Sequence, residues 1–487
     1  MKLKNLITVS LCLLSLLASS APMANDHLHL PNLGDSTGTL ISPAQEKALG
    51  DSFFRSIRSQ LDISYDSDIQ HYIQAIGQKL VSSSDNPRQD FYFFVVMSDD
   101  INAFAGPGGF IGINSGLIIN SDSESELASV LAHEIAHVTQ RHIYRSYEAA
   151  SKLSLPAAAA MIAAIIVATQ APDVGIGALS AIQAGSIQMQ IDFTRDNEQE
   201  ADRIGIKTLA RANFDPRSMP TFFEKLQQAS RYYGAGTPEF LRTHPVTASR
   251  ISDTRGRAEK YPYRQVANSQ SYRLIKAKLR ISSSQTSIED LIIFFQRKAN
   301  QGTLKQRAAM QYGLGLCYLE QRKHKQAAAI FLKLSQRYPK QREYLTALTD
   351  VAINQRDFAG AKKLLLELQQ KFPNESDFQF EYINILLTSN QPQQALQHLK
   401  LFEYTQQHHP RYFLLLAQAY GDLEQQVNSH RYMAEYYYAI GHTHGAIQQI
   451  KLAQQAKDLN FYLSAILEDR LHFFMDELQA LKQLQEQ

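Results

Sequence analysis

The sequence LASVLAHEIAHVTQRH, residues 127–142, decides the class of fold that the chain builds. Its apolar residues recur at the spacing of one helical face, which predicts a partly buried helix over 127–142. His133 and His137 are four residues apart, so both imidazoles lie on one side of that helix. Glu134 follows the first histidine, where its carboxylate can activate a water beside a bound metal. Two zinc ligands and a general base at this spacing are typical of zinc hydrolases.

The same pattern has an ordinary explanation. Two histidines four residues apart can arise by chance on an amphipathic helix, and the five-residue motif alone is only moderately specific. Both rings, however, lie on the apolar side of the helix, where an unpaired polar group would be costly. The metal hypothesis therefore depends on a third ligand.

Two nearby residues are unsuitable as that ligand. On the predicted helix His142 lies nearly opposite His137, and the metzincin spacing needs a glycine at 140 and a histidine at 143, where this chain has Gln140 and Ile143. Glu148 is too close along the same helix to wrap round the metal. We expect the third ligand on a second helix.

The segment TRDNEQEADRIGIKTLA, residues 194–210, predicts that second helix. Glu198 lies nearest its apolar face and Asp202 lies beside it, whereas Glu200 points away and, like Arg203, fits a solvated surface. We expect Glu198 to bind zinc and Asp202 to accept a hydrogen bond from a ligand histidine. The alternative is that Glu198 is one more surface charge.

Strands are predicted ahead of the metal helix. FYFFVVM, residues 91–97, is short, aromatic and β-branched, which favours a buried strand. NAFAGPGGFIGINSGLIIN, residues 102–120, predicts two short strands or one bent strand, with Leu117 and Ile118 included and a Gly/Pro turn. A nucleotide-binding loop is excluded because Pro107 interrupts it and no helix begins at Gly112. A free strand edge here would pair with an extended substrate. The residues expected to bind that substrate are Asn102, Phe104, Gly108 and Gly109.

The composition and the N-terminal half of the sequence further restrict the class of protein. The 487 residues allow several domains, and a formal charge of +2 gives no reason to expect nucleic acid. Residues 1–24 combine lysines, an apolar run and small residues, which predicts a cleaved signal peptide and leaves Cys317 without a disulfide partner. Leu155 to Ala168 is too short to span a bilayer, so we expect a helix packed over the catalytic domain, or at most peripheral membrane contact. Residues 176–189 predict a further helix that covers the cleft.

The second half of the chain repeats itself. Ala327 recurs as Ala361 and Ala395, and Pro339 as Pro373, each time 34 residues later (361 − 327; 395 − 361; 373 − 339). This is the period of tetratricopeptide helix pairs, which stack into a solenoid with a concave binding surface. The predicted fold is mainly α. It has an α+β zincin-type peptidase domain with a short edge-strand sheet over 25–268, followed by an all-α tetratricopeptide solenoid over 269–487.

HEIAH, then NEQEAD, after a strand that reads NAF-x-x-PGG-x-I, resembles the zinc metallopeptidase family that includes the prenyl-protein CAAX proteases and the heat-shock protease HtpX. The resemblance implies one Zn²⁺ per chain on His133, His137 and Glu198, with Glu134 as catalytic base. It also implies, through THPVTASR, that His244 and Arg250 lie near the metal. His244 would then stabilise the oxyanion or cap the zinc, and Arg250 would anchor the substrate.

The signal peptide and the repeats are similar to those of periplasmic members of this family. That similarity implies a periplasmic endopeptidase with chaperone-like activity, which degrades misassembled outer-membrane β-barrel precursors such as LptD. The barrel-assembly machinery would be the docking partner of its repeats. The alternative is a non-proteolytic adaptor with a structural zinc site, but a structural site needs no general base such as Glu134.

Overall fold

The computed structural model describes residues 42–87, 89–143, 155–170, 195–233, 238–282, 286–373, 375–403 and 409–485. The predicted signal peptide and the predicted helix over 176–189 lie outside these residues. The described residues form one compact unit.

Two helices precede the sheet, α1 (Pro43–Gln60) and α2 (Ser67–Val81). The side chain of Ser42 caps α1, and the side chain of Gln45 bonds back to the Ser42 amide, so both ends of a capping box are present. Asp66 caps α2 by accepting from two backbone amides. Both helices bury one apolar face.

A small three-stranded sheet follows these two helices in the chain. Its strands are β1 (Tyr92–Val96), β2 (Ala103–Ala105) and β3 (Phe110–Asn114), in the order β1–β3–β2. β3 is parallel to β1 and antiparallel to β2, and a 3₁₀ turn over Pro107–Gly109 joins β2 to β3. The predicted strand over 91–97 and the Gly/Pro turn are confirmed. The extension of the last strand through Leu117 and Ile118 is wrong, because Ser115–Asn120 form helix α3, which buries both side chains. A short apolar run does not by itself separate strand from helix.

The metal-binding motif lies on α4 (Glu124–Thr139), which Ser123 caps and which is buried along nearly its whole length. The helices that follow in this part of the chain are α5 (Leu155–Gln170), α6 (Arg195–Arg211), α7 (Ser218–Tyr233), α8 (Glu239–Thr243) and α9 (Ala248–Ala258). α6 packs against α4. Gly205 allows this close approach, since a Cβ there would lie 3.3 Å from the backbone of Ala132 and His133. The predicted helix over 127–142 is too long at its C-terminal end, because Arg141 has a φ of 56° and ends it.

The apolar helix α5 packs against α1, as expected for a helix that packs on this part of the chain. Its buried side chains are small: Ala157, Ala158, Ala159, Ala163 and Val167. Among the described helices, none has both the length and the apolar character that a membrane crossing requires.

Helix pairs fill the rest of the described chain. They are α10 (Gln270–Ser282), α11 (Ile288–Lys298), α12 (Leu304–Glu320), α13 (His324–Arg337), α14 (Arg342–Asn354), α15 (Phe358–Lys371), α16 (Asp377–Thr388), α17 (Pro392–Lys400), α18 (Pro410–Asp422), α19 (Gln426–Ala439), α20 (Thr443–Gln454) and α21 (Phe461–Gln485). Ala327, Ala361 and Ala395 are all fully buried, each in the second helix of its pair. Their identical environments explain the 34-residue period in the sequence.

α10 belongs to two cores at once. Tyr272 and Ile275 pack into the core that the sheet shares with α2 and α4, while Leu274 packs into that of the first repeats. The predicted boundary between 268 and 269 therefore precedes a helix that both parts share, and it stays a prediction. Buried ion pairs join the parts as well, since Asp68 of α2 contacts Lys278 of α10 and Arg342 of α14.

Candidate metal centre

Four buried side chains meet between α4 and α6. His133 and His137 lie on α4, Glu198 lies on α6, and His244 directly follows α8. One ligand-type atom from each of the four lies within 4.8 Å of the others. The helices bring together the three residues that the sequence proposed as ligands, and His244 joins them.

The distances in this cluster suit a metal ion. Nε2 of His137 lies 3.0 Å from Nε2 of His133 and 3.3 Å from Oε1 of Glu198, and Nε2 of His133 lies 3.5 Å from Oε2 of Glu198. Two donors about 2.1 Å from one tetrahedral ion are about 3.4 Å apart. Nitrogen and carboxylate donors at these separations fit zinc in chemistry as well as in spacing.

Glu134 is buried beside this cluster and is 1 % exposed. The backbone N–H of Ala105, in β2, donates to its carboxylate. Burial raises the pKa of Glu134, and the nearby His244 and His133 offset only part of that rise. A carboxylate with a raised pKa, adjacent to a metal, is suited to take up and release a proton.

Asp202 and Arg250 support the ligands from behind. Oδ1 of Asp202 lies 3.0 Å from Nδ1 of His133. The Arg250 guanidinium donates to both oxygens of Asp202 at 2.8 Å, and its Nη1 lies 2.7 Å from Oε2 of Glu198. Burial alone would raise the pKa of Asp202, but Arg250 and His133 lower it overall. The carboxylate is therefore held in its charged, accepting form.

In the structure the Arg250 guanidinium contacts the carboxylates of Asp202 and Glu198. Its Nη1 also donates to the Pro245 carbonyl at 2.9 Å, and the whole residue is 4 % exposed. Its expected contact with substrate stays a prediction.

Two residues were missed by the sequence reasoning. Nδ1 of His142 lies 2.8 Å from Nδ1 of His137, and Nε2 of His142 lies 3.2 Å from Oε2 of Glu200. The helical wheel had placed His142 and Glu200 away from the metal. The loss of apolar residues after Val138 marks the end of the helix, but it does not predict where His142 then lies.

The predicted substrate residues lie in and around the edge strand β2. Asn102 precedes it and is fully buried, and among the residues that the structure describes neither its amide nitrogen nor its amide oxygen has a hydrogen-bond partner. Phe104 packs edge-on against Phe94.

Gly108 and Gly109 form the turn after β2, with φ of 71° and 80°. A Cβ on Gly109 would meet the Asp90 carbonyl, and one on Gly108 would meet the Gly50 backbone. Packing within the chain thus explains both glycines, and their contact with substrate stays a prediction.

Comparison with known proteins agrees with the fold and the site. Residues 67–258 match peptidase family M48, and residues 276–342 match the tetratricopeptide repeat. The chain is 33 % identical to the beta-barrel assembly-enhancing protease of Escherichia coli K12, over 99 % of this chain and 97 % of that one. It is 38 % identical to a putative protease of the same name from Vibrio cholerae, over 67 % of each chain. A mitochondrial metalloendopeptidase OMA1 from Arabidopsis thaliana is 32 % identical over 31 % of this chain and 28 % of its own.

The fold and the site therefore define an M48 metallopeptidase that carries tetratricopeptide repeats. Within that class, the chain belongs to the family of the beta-barrel assembly-enhancing proteases.

Proposed function

We propose that this protein is a periplasmic zinc endopeptidase that degrades misassembled outer-membrane β-barrel proteins and also assists their assembly. The observation that carries the proposal is the buried group of His133, His137 and Glu198 with Glu134 beside it. The names of the relatives support the connection with barrel assembly.

In this proposal His133, His137 and Glu198 hold one zinc ion, and His244 is a displaceable fourth ligand. When bound there, zinc supplies a Lewis acid that polarises the peptide carbonyl and makes a neighbouring water more acidic. Glu134 takes the proton of the attacking water and then gives it to the leaving amine. Asp202 fixes the ring of His133, and Arg250 holds Asp202 and Glu198 in place.

The edge strand β2 is the proposed docking site for the scissile chain. Phe104 pairs with Gly112 of β3. The backbone N–H and C=O groups of its neighbours Ala103 and Ala105 therefore point away from β3, toward the free edge of β2. The Ala105 N–H donates to Glu134, so this edge lies beside the catalytic base. An extended substrate segment that pairs with β2 would pass the metal, and Asn102 supplies a buried amide next to it.

This recognition suits the proposed clients. A β-barrel that stalls during assembly exposes strand edges with unpaired N–H and C=O groups, which are templates for pairing. LptD is one proposed client. The repeats would bind the barrel-assembly machinery and bring the peptidase to such clients, with at most peripheral membrane contact through Leu155 to Ala168.

The Glu134→Gln variant of the full chain tests the proposal. Cleavage of an unassembled β-barrel client should fall about 100-fold or more, because the general base is lost. The variant should keep one zinc per chain and keep any effect on assembly that needs no cleavage. Glu259→Gln, at an exposed glutamate, is the matched control and should cleave like the wild type. Unchanged cleavage by Glu134→Gln would refute the mechanism, and wild-type zinc content in Glu198→Ala would refute the ligand set.

A further inference from the structure

The backbone departs from the regular geometry of the metal helix directly after that helix ends. α4 ends at Thr139, and Arg141 adopts a φ of 56°, a left-handed conformation that is uncommon for a residue with a side chain. This left-handed residue redirects the chain after α4, and the next residue, His142, is fully buried. Without it, His142 would lie on the far side of α4 from His137.

The contact made by His142 decides the protonation of a metal ligand. Nε2 of His137 faces His133 and Glu198, so this nitrogen must offer its lone pair to the metal. A neutral imidazole with a free Nε2 carries its proton on Nδ1. That N–H points at Nδ1 of His142, 2.8 Å away, which accepts it.

Glu200 completes the chain of hydrogen bonds. If Nδ1 of His142 accepts, then Nε2 of the same ring carries the proton, and it lies 3.2 Å from Oε2 of Glu200. The Glu200 carboxylate accepts only, so it selects this tautomer of His142. Each group in the series Glu200, His142, His137 therefore has one consistent role.

We propose that His142 and Glu200 are positioning residues, which hold the His137 ring with its Nε2 lone pair directed at the metal. This inference rests on the proposed function, because it assumes that the cluster holds zinc. It assigns to His137 what Asp202 does for His133, so that each ligand histidine of α4 has its own support. Outer partners of this kind fix both the ring orientation and the tautomer of a ligand histidine.

The test measures zinc affinity of the full-length protein by competition with a chelator at fixed pH. His142→Leu keeps the volume but removes the acceptor, and zinc should bind roughly 10- to 100-fold more weakly. Glu200→Ala should weaken zinc binding roughly 10-fold. His142→Asn and Glu200→Gln retain an acceptor near the lost atom and should recover much of the affinity. Asp196→Ala removes an exposed carboxylate from the same helix and is the matched control.

A second readout separates positioning from mere packing. With cobalt in place of zinc, the visible absorption spectrum reports ligand geometry, and it should change in His142→Leu and in Glu200→Ala but not in Asp196→Ala. If His142→Leu unfolds, Glu200→Ala at the half-buried rim of the site decides the question. Zinc affinity and cobalt spectra like those of the wild type in both variants would overturn the inference alone. A wild type that binds no zinc would overturn the proposed function and the inference together.

Discussion

Nε2 of His244 lies 3.5 Å from Oε1 of Glu134 in the buried centre of the peptidase domain. The other ring nitrogen, Nδ1, lies 3.0 Å from Oε1 of Glu198. The ring therefore occupies the space between the proposed base and a proposed ligand, where water and the substrate carbonyl would have to enter. This placement favours a capped resting state.

His244→Ala should raise the rate at which the enzyme cleaves an unfolded client, by several-fold, since removal of the ring opens the site while three ligands remain. The measurement is the initial cleavage rate of the purified variant beside its zinc content. His398→Ala, in the repeats, is a control that should leave the rate unchanged. A fall in rate with zinc retained would assign His244 to oxyanion stabilisation instead.

Arg250→Leu should destabilise the fold and weaken metal binding. The variant leaves Asp202 and Glu198 buried without their shared cation, and the loss of one partner of a buried pair costs about 3–5 kcal/mol. Arg255 lies on the same helix but pairs with Glu224 at the surface, so Arg255→Leu should cost under about 1 kcal/mol. Urea unfolding of both variants checks the difference. Equal losses would show that the Arg250 contacts are not a buried network.

The metal helix illustrates how much of the site the sequence contains. The positions of His133, Glu134 and His137 follow from helical periodicity alone, because that relation is local. Glu198 could be selected from a second helix because its apolar face was evident. The position of His142 could not be predicted in this way, because it depends on the left-handed conformation of Arg141, which no periodicity predicts.

Other features depended on tertiary contacts. The short apolar run with Leu117 and Ile118 is compatible with either a strand or a helix. In the folded chain it forms a helix that buries both side chains. The resemblance placed Arg250 near the metal, but only the folded chain shows that its partners are Asp202 and Glu198.

Gly109→Ala should destabilise the turn that joins β2 to β3. The residue has a φ of 80°, and an added Cβ would meet the Asp90 carbonyl, so we expect a loss of about 1–3 kcal/mol. Gly256→Ala is the matched control, since the residue is inside a helix and, beyond the adjoining helix backbone, no described atom lies within 4 Å of its Cβ position. That substitution should stabilise the protein by about 0.5–1 kcal/mol. Thermal unfolding of both variants gives the comparison, and a neutral Gly109→Ala would contradict the turn geometry.

Asp68→Leu should weaken the attachment of the repeats to the peptidase domain. The Asp68 carboxylate lies 3.0 Å from Lys278 and 3.2 Å from Arg342, and it accepts from Thr346 at 2.8 Å. Its removal leaves Lys278 with Asp66 alone and Arg342 with Glu375 alone, so the cost should stay below the roughly 3–5 kcal/mol of a buried charge that loses its sole partner. Faster limited proteolysis of the full chain and a lower urea midpoint are the expected readouts. Asp51→Leu, from an exposed ion pair with Lys47, should change neither.

Asp350 should make stability fall as pH rises toward neutrality. Burial, the nearby Asp68 and the nearby Asp66 raise the pKa of this half-buried carboxyl from 3.8 to about 7, although Lys278 opposes the rise. Between about pH 4 and pH 7 the unfolded chain has released this proton while the folded chain still holds it, so each step up in pH favours unfolding.

Asp350→Asn should therefore match the wild type near pH 4 and exceed it in stability near pH 8. Partial exposure reduces the expected gain to about 1–2 kcal/mol. Urea unfolding at both pH values measures it, with Asp476→Asn, at an exposed carboxylate, as the control that should leave the pH dependence unchanged. A gain of the same size at both pH values would show that the effect is not the titration of Asp350.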